Sequence, residues 1–333
     1  MTVHLPAVPG YAQLASALAA AGLTTVDVVH VTEYATAAAL GDPAALDRAR
    51  VAALGGHPVP VSRVPVEAVL GPDALISTAS YALGVTAHAG GGEMLTDGDD
   101  VLRVAGGVVH LPSVHTAEGD FREQYRWCLD RIAALLAVAG LGTGSLVRTV
   151  DYTTTATRAE YPQCGRPRKE VLGTGPVHPG AAGILVDVPV APGALVSLDA
   201  LAFDGGLQVL NPGWARYDTL TYKPAVRGGG RIFLAGFGAL DPVSQQALHA
   251  GDLAAQAAYV YRSVETVLAE AGATGEHVTH LVEFVTPAAV ADYPATVVLR
   301  KQHFPNAVVD AVVCSALLRP EFLIETVPTA VLR

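Results

Sequence analysis

The stretch Tyr222–Leu240, YKPAVRGGGRIFLAGFGAL, decides how the rest of the chain is read. Gly228, Gly229 and Gly230 carry no Cβ and permit positive φ, and the alternating apolar residues Ile232 and Leu234 follow at once, so the stretch predicts strand, tight turn, strand. Far downstream, Leu318–Glu325, LRPEFLIE, is a short β-rich run after Arg319-Pro320. It ends in a carboxylate, Glu325, set among Phe322, Leu323, Ile324 and Val327. A carboxylate in apolar company is either an outward-facing strand residue or a group with a task.

The residues on either side repeat. Three predicted helices end in Ala-Gly, at Ala21-Gly22, Ala139-Gly140 and Ala271-Gly272, offset by 118 and then by 132 residues. The same offsets relate Glu33-Tyr34, Asp151-Tyr152 and Glu283-Phe284, which close the apolar runs VVHVTEY, LVRTVDY and VTHLVEF. They also relate Arg50, Arg168 and Arg300, while Tyr161 matches Tyr293, and DALIS, GALVS and EFLIE align Ser77, Ser197 and Glu325. Each unit reads as a helix of about four turns, a strand, a second helix and a pair of apolar strands. In unit two the first helix is predicted near Gly119 to Ala139, with Phe121, Tyr125, Leu129, Ile132 and Leu136 on one stripe and Arg122 and Arg126 on the other. Units two and three are preceded by hairpin candidates, DDVLRVAGGVVHLPS and the Tyr222 stretch. Unit one has only ten residues before its helix and reads as truncated. The segment Phe203–Pro212 fits neither neighbour and is taken as a linker or extra strand. The expected units are residues 1–84, 85–203 and 204–333.

Composition narrows the function. With 333 residues, 51% hydrophobic and 16% charged, the chain can bury a large core. The net charge of −10 argues against nucleic-acid binding, which needs clustered Lys and Arg. No uninterrupted apolar run suggests a membrane span and the N-terminus lacks a basic leader, so a cytoplasmic location is expected. Cys128, Cys164 and Cys314 are far apart without CxxC spacing, and the eleven histidines show neither HxxxH nor HxH, so no disulfide, metal or phosphate-loop site is expected. Cofactor-free chemistry on a small molecule follows as the expectation.

The order hairpin, helix, strand, helix, strand, strand, with Tyr222-Lys-Pro-Ala-Val-Arg-Gly leading into Phe233-Leu-Ala-Gly, resembles the Rid (YjgF-type) family. Rid proteins are homotrimers with pockets between subunits, so three tandem copies imply a trimer imitated within one chain. The chorismatases are built from similar units, and two stretches look like theirs: His249-Ala-Gly-Asp252 with Gln256, and Leu318-Arg-Pro-Glu-Phe-Leu-Ile-Glu325. Tyr161 and Arg168 resemble that family's second-helix pair, although Leu318 stands where a Cys is usual and Pro-Gln-Cys-Gly follows Tyr161 in place of an Asn-rich run. The resemblance implies an α+β pseudo-trimer of three Rid/YjgF-like (chorismate-mutase-like) units, with a central barrel-like core and helices outside.

It also implies site residues. The family's carboxylate-binding Arg falls at Arg63 in unit one, whereas Gly183 and Ala311 occupy the position in the other units; its Tyr falls at Tyr222 and its acid at Glu325. The expected site joins units three and one, with Glu325 and Tyr222 catalytic and Arg63, Arg168 and Arg300 binding a carboxylate substrate. A guanidinium grips a carboxylate through paired donors, and a desolvated Glu keeps its proton for use as a general acid. The implied reaction is protonation and cleavage of an enol ether with release of pyruvate, in specialised-metabolite biosynthesis. Alternatives are a Rid-like imine or enamine hydrolase and a non-catalytic binder of small acids. Each residue also has a structural alternative: Arg63 on the surface, Tyr222 in the core, the repeated arginines pairing with Asp or Glu, Asp252 capping a helix, His178 in a loop. The edge left by the short first unit offers a surface for a homodimer.

Overall fold

The computed structural model describes residues 1–332 as three mixed sheets with helices on their outer faces. In every unit a long strand pairs in parallel with the penultimate strand and antiparallel with the last. These triplets are Val28–Ala35, Val61–Pro65 and Tyr81–His88; Leu146–Thr154, Gly180–Val186 and Val196–Phe203; and Val278–Val285, Val308–Val313 and Ile324–Val331. The parallel registers pair Glu33 with Arg63, Asp151 with Gly183, and Glu283 with Ala311. The three positions aligned by sequence offset are therefore equivalent in space.

The outer helices form where the sequence patterns them. Phe121–Val138 starts at a capping box, Asp120 Oδ1 accepting from Glu123 N (2.9 Å) while Asp120 N donates to Glu123 Oε2 (2.9 Å). Its predicted stripe is buried, and Arg122 and Arg126 are exposed. Each large apolar side chain so placed contributes about 1.5–3 kcal/mol. The helix ends one residue before Ala139-Gly140, where Gly140 takes φ +71°, a value costly for any residue with a Cβ. Asp252 caps Leu253–Ala269 by accepting from Ala255 N (2.9 Å), as the capping alternative requires.

The hairpin at the heart of unit three runs Ala225–Gly228 and Arg231–Leu234, turning at Gly229, φ +57°. Tyr222 precedes it in an irregular segment rather than lying in the first strand. Leu207–Leu210 is an added strand on that hairpin. Unit one has a single strand, Thr2–Val8, in the corresponding place, paired with Tyr81–His88. That last strand crosses the boundary expected at residue 84, so we place the end of unit one after His88.

The units are linked in a ring. Ala68–Val69, from unit one, pairs with Val312–Val313 of unit three, and Ala316–Leu317, from unit three, pairs with Ile184–Leu185 of unit two. Unit two reaches unit one through Ser113, whose N donates to Val61 O (3.0 Å) and whose Oγ accepts from Arg63 N (3.2 Å). A shared core including Tyr34, Tyr152, Phe284, Val64, Ile184 and Val312 joins the three units. Among the described residues, no helix is long and apolar enough to cross a membrane.

Candidate active site

One buried cluster recurs in each unit. In the first, Glu33 accepts at Oε1 from Tyr11 Oη (2.6 Å) and Arg50 Nη1 (2.8 Å). In the third, Glu283 accepts from Tyr261 Oη (2.8 Å), Tyr293 Oη (2.5 Å) and Arg300 Nη1 (2.5 Å). A tyrosine of the first helix and an arginine of the second thus neutralise a carboxylate on the strand between them. A buried carboxylate without such partners would be strongly unfavourable.

The same ring of groups is open in unit two. The acid there is Asp151, one methylene shorter than Glu33 or Glu283, and among the described residues no ion pair joins it to Arg168. Asp151 accepts from Tyr125 Oη (3.2 Å) and Tyr161 Oη (3.0 Å). Arg168 donates instead to Tyr125 Oη (3.1 Å), Thr149 Oγ1 (3.2 Å) and, across the unit boundary, Thr221 O (3.1 Å). Burial pushes Asp151 up to about 6, against the opposing pull of Arg168 and of the Tyr161 and Tyr125 hydroxyls. Burial also disfavours the charge on Arg168, but Tyr125, Tyr161 and Asp151 more than restore it.

Glu325 faces this opened cluster. It is buried, 6% exposed, paired with Phe284 on the last strand of unit three. Its carboxyl lies against Gly236 and unit two's Ala182: a Cβ added to Gly236 would fall 2.1 Å from Glu325 Oε1 and 2.7 Å from Ala182 Cβ. Burial, reinforced by the charge of Asp151, pushes Glu325 up to about 8, and only the Gly183 backbone N–H draws it back. Tyr222 is close enough to feel both Arg168 and Glu325, and packs edge-on against Tyr217 at 5.7 Å. Gly183 stands where unit one has Arg63, and a Cβ there would meet Tyr161 Oη at 2.4 Å and Leu318 Cδ1 at 2.6 Å. Tyr161 therefore occupies the room that an arginine side chain would need.

The geometry corrects the expected interface. Arg63 is engaged inside unit one, its Nε donating to Glu33 Oε2 (2.8 Å) and its Nη2 to Asp47 Oδ1 (2.8 Å). It has no unshared charge to offer a substrate and does not face Glu325, whose neighbours belong to unit two. Arg300 is likewise committed to Glu283 and Tyr293 (2.8 Å). Glu325, Tyr222 and Arg168 do come together, at the boundary of units two and three. Sequence reasoning missed Asp151 and Tyr125 as members. The available signal was the series Glu33, Asp151, Glu283, in which one acid is shortened at the same unit where Gly183 replaces Arg63. Gln256 Nε2 donates to His249 O (3.2 Å) and Glu321 O (2.7 Å), fastening the loop before the strand of Glu325 to the helix Leu253–Ala269.

Lengthening the acid tests this account. Asp151→Glu should let the carboxylate reach Arg168 as Glu283 reaches Arg300, drawing the guanidinium from Thr221 and lowering activity at least tenfold with stability unchanged or raised. An unchanged kcat/KM in that variant would show that the open cluster has no bearing on function.

Residues 216–332 match the family model described as Endoribonuclease L-PSP. No curated protein sequence matches the chain. Among solved structures, a chorismatase superposes with a TM-score of 0.64 at 17% identity, covering 92% of this chain and 93% of its own. A member of the YjgF/YER057c/UK114 family from Mycobacterium tuberculosis aligns over 38% of this chain and 100% of its own, at 25% identity and a TM-score of 0.32. The yeast protein YEO7 aligns over the same shares at 19% identity and a TM-score of 0.34. The Rid resemblance is thus shown for the C-terminal unit by the family match, and the whole chain has the fold of a chorismatase.

Proposed function

We propose that the chain is a cofactor-independent enzyme that protonates and cleaves a small carboxylate-bearing enol ether, in the manner its resemblance to chorismatases implies. The observation that carries this reading is the pair of buried carboxyls, Asp151 at about 6 and Glu325 at about 8, set beside Arg168, which is hydrogen-bonded only to uncharged oxygens. Near neutral pH one is ionised and the other holds its proton, the division of labour that an acid and a base require. Arg168 and Tyr222 hold the substrate carboxylate. Glu325 gives its proton to the vinyl CH2 carbon, leaving an oxocarbenium ion; water adds to the cationic carbon as Asp151 takes a proton from it. The resulting hemiketal breaks its C–O bond as Asp151 returns its proton to the departing oxygen and the hemiketal hydroxyl gives its proton to Glu325, releasing an alcohol and pyruvate with both carboxyls restored to their starting forms.

Two observations set the imine-hydrolase alternative behind this one. The position of the Rid carboxylate-binding arginine is Gly183 at this boundary, and the one arginine at that position, Arg63, is paired with Glu33 and Asp47. Incubation with chorismate, followed by assay for pyruvate, tests the reading directly; absence of pyruvate together with ammonia release from an imine would reverse the order.

The pH dependence follows from the two carboxyls. Glu325 acts only while protonated, so the rate falls as pH rises through about 8. Asp151 acts only while ionised, so the rate falls as pH drops through about 6. A bell-shaped profile of kcat/KM, which reports the groups of the free enzyme, with limbs near these values is expected. A flat profile from pH 5 to 9 would count against both roles.

A further inference from the structure

A cavity of about 210 Å³ lies where the inward faces of the three sheets meet, and its lining includes none of Glu325, Asp151, Arg168 or Tyr222. It is thus a second space, independent of the site proposed above. The long strands present to it the equivalent residues His30, Arg148 and His280, offset by 118 and 132. In a symmetric trimer this ring would carry three copies of one side chain, and three guanidinium groups would repel. The tandem chain places one guanidinium at this ring, flanked by two histidines; the other arginine of the lining, Arg231, is engaged by Gly106 O (2.5 Å) and Thr2 Oγ1 (2.8 Å).

The polar groups of this cavity are unevenly satisfied. Arg148 Nη1 donates to Thr329 Oγ1 (2.9 Å) and Pro328 O (3.1 Å), but among the described residues its Nε and Nη2 find no acceptor and it forms no ion pair. Asp199, also in the lining, has a buried Oδ1 without a donor, and the buried His110 has an unpartnered Nε2. Buried polar atoms left unmatched cost about 1–3 kcal/mol each, so such a set is unusual unless something fills it. A lone anion on Arg148 would leave Asp199 Oδ1 unmatched, and a lone cation on Asp199 would leave the guanidinium unmatched. A molecule with an ammonium and a carboxylate on the same carbon satisfies the two together. The rest of the wall mixes polar residues, among them Thr32, Thr86 and Thr279, with an apolar part that includes Val108, Val150, Phe233, Val282 and Phe284. An apolar cavity of roughly 150 Å³ accepts benzene, so this one has room for a medium-sized apolar side chain.

We infer that the axial cavity is a binding site for a zwitterionic α-amino acid with an apolar side chain, its carboxylate on Arg148 and His110 and its ammonium on Asp199.

The probes are L-leucine, 4-methylpentanoate, which lacks the ammonium, and 3-methylbutylamine, which lacks the carboxylate. Calorimetric titration should show leucine binding to the parent protein and equally to Glu325→Gln, with each single-charge analogue at least tenfold weaker. Arg148→Met and Asp199→Asn should each weaken leucine at least tenfold. Crystals of the parent soaked in L-selenomethionine should give a selenium anomalous peak in the axial cavity, a readout that stands even if Arg148→Met fails to fold. No leucine binding, binding of 4-methylpentanoate as tight as leucine, or selenium found only beside Glu325 would each overturn the assignment. Because Glu325→Gln removes the proposed acid and leaves the axial residues untouched, failure of the enzymatic reading and failure of this site are separately visible.

Discussion

Replacing Glu325 with Gln is expected to lower turnover of a carboxylate-bearing enol ether by about 10²–10⁴-fold, the range supplied by a positioned acid, while ligand binding and folding persist. The substitution is nearly isosteric, and at neutral pH it exchanges one uncharged group for another, since burial and Asp151 hold the Glu325 carboxyl protonated up to about 8. Loss of rate without loss of binding therefore reports on the proton. The folded-state value lies above the unfolded one, so the stability that Glu325 contributes is fully present below the ordinary Glu range and is lost as pH rises through about 8. Wild-type protein should accordingly lose stability between about pH 4.5 and 8 relative to Glu325→Gln, measured by urea unfolding at several pH values. If Glu325→Gln turns over substrate at the parental rate, Glu325 is a packing residue and another proton source must be sought.

The largest expected effect on stability is at the closed cluster of unit three. Arg300→Met removes the guanidinium from Glu283, which is 0% exposed, and leaves it with only the hydroxyls of Tyr261 and Tyr293. Breaking a buried pair from one side costs about 3–5 kcal/mol because the remaining charge cannot be hydrated. Equilibrium urea unfolding at neutral pH gives the measurement. A loss below about 1 kcal/mol would mean that water reaches Glu283 or that the Tyr261 and Tyr293 hydroxyls suffice to hold it. Glu283 is the chain neighbour of Phe284, the cross-strand partner of Glu325, but strand alternation turns the two carboxyls to opposite faces of the sheet, so activity per folded molecule should stay near the parental level, in contrast to Asp151→Glu.

The fold was legible because its determinants are periodic. Apolar runs such as VVHVTEY and LVRTVDY recur at fixed offsets, and the sheet registers place Glu33, Asp151 and Glu283, which keep those offsets, opposite Arg63, Gly183 and Ala311. The partners of the site were less legible because they are set by which unit touches which, and no local pattern encodes that. Arg63 reads as a free anion ligand until Glu33, its neighbour across the strand pair, and Asp47, on the second helix, are seen to hold it. The burial of Glu325 could be suspected from Phe322 and Ile324; that its carboxyl rests against Ala182 and Gly183 could not. The His30, Arg148, His280 ring was present in the sequence at the same offsets, but without the barrel nothing marked these residues as facing one another.

The short strand Ala316–Leu317, which completes the sheet of unit two, has a consequence for synthesis. A nascent polypeptide that has emerged as far as residue 315 contains all of Asp151, Tyr161 and Arg168, yet lacks both the strip that seals their sheet edge and the acid that faces them. On the proposed role of Glu325, competence for chemistry arrives only once residues 316–325 have been made, and a product terminated before them would be inert rather than partly active.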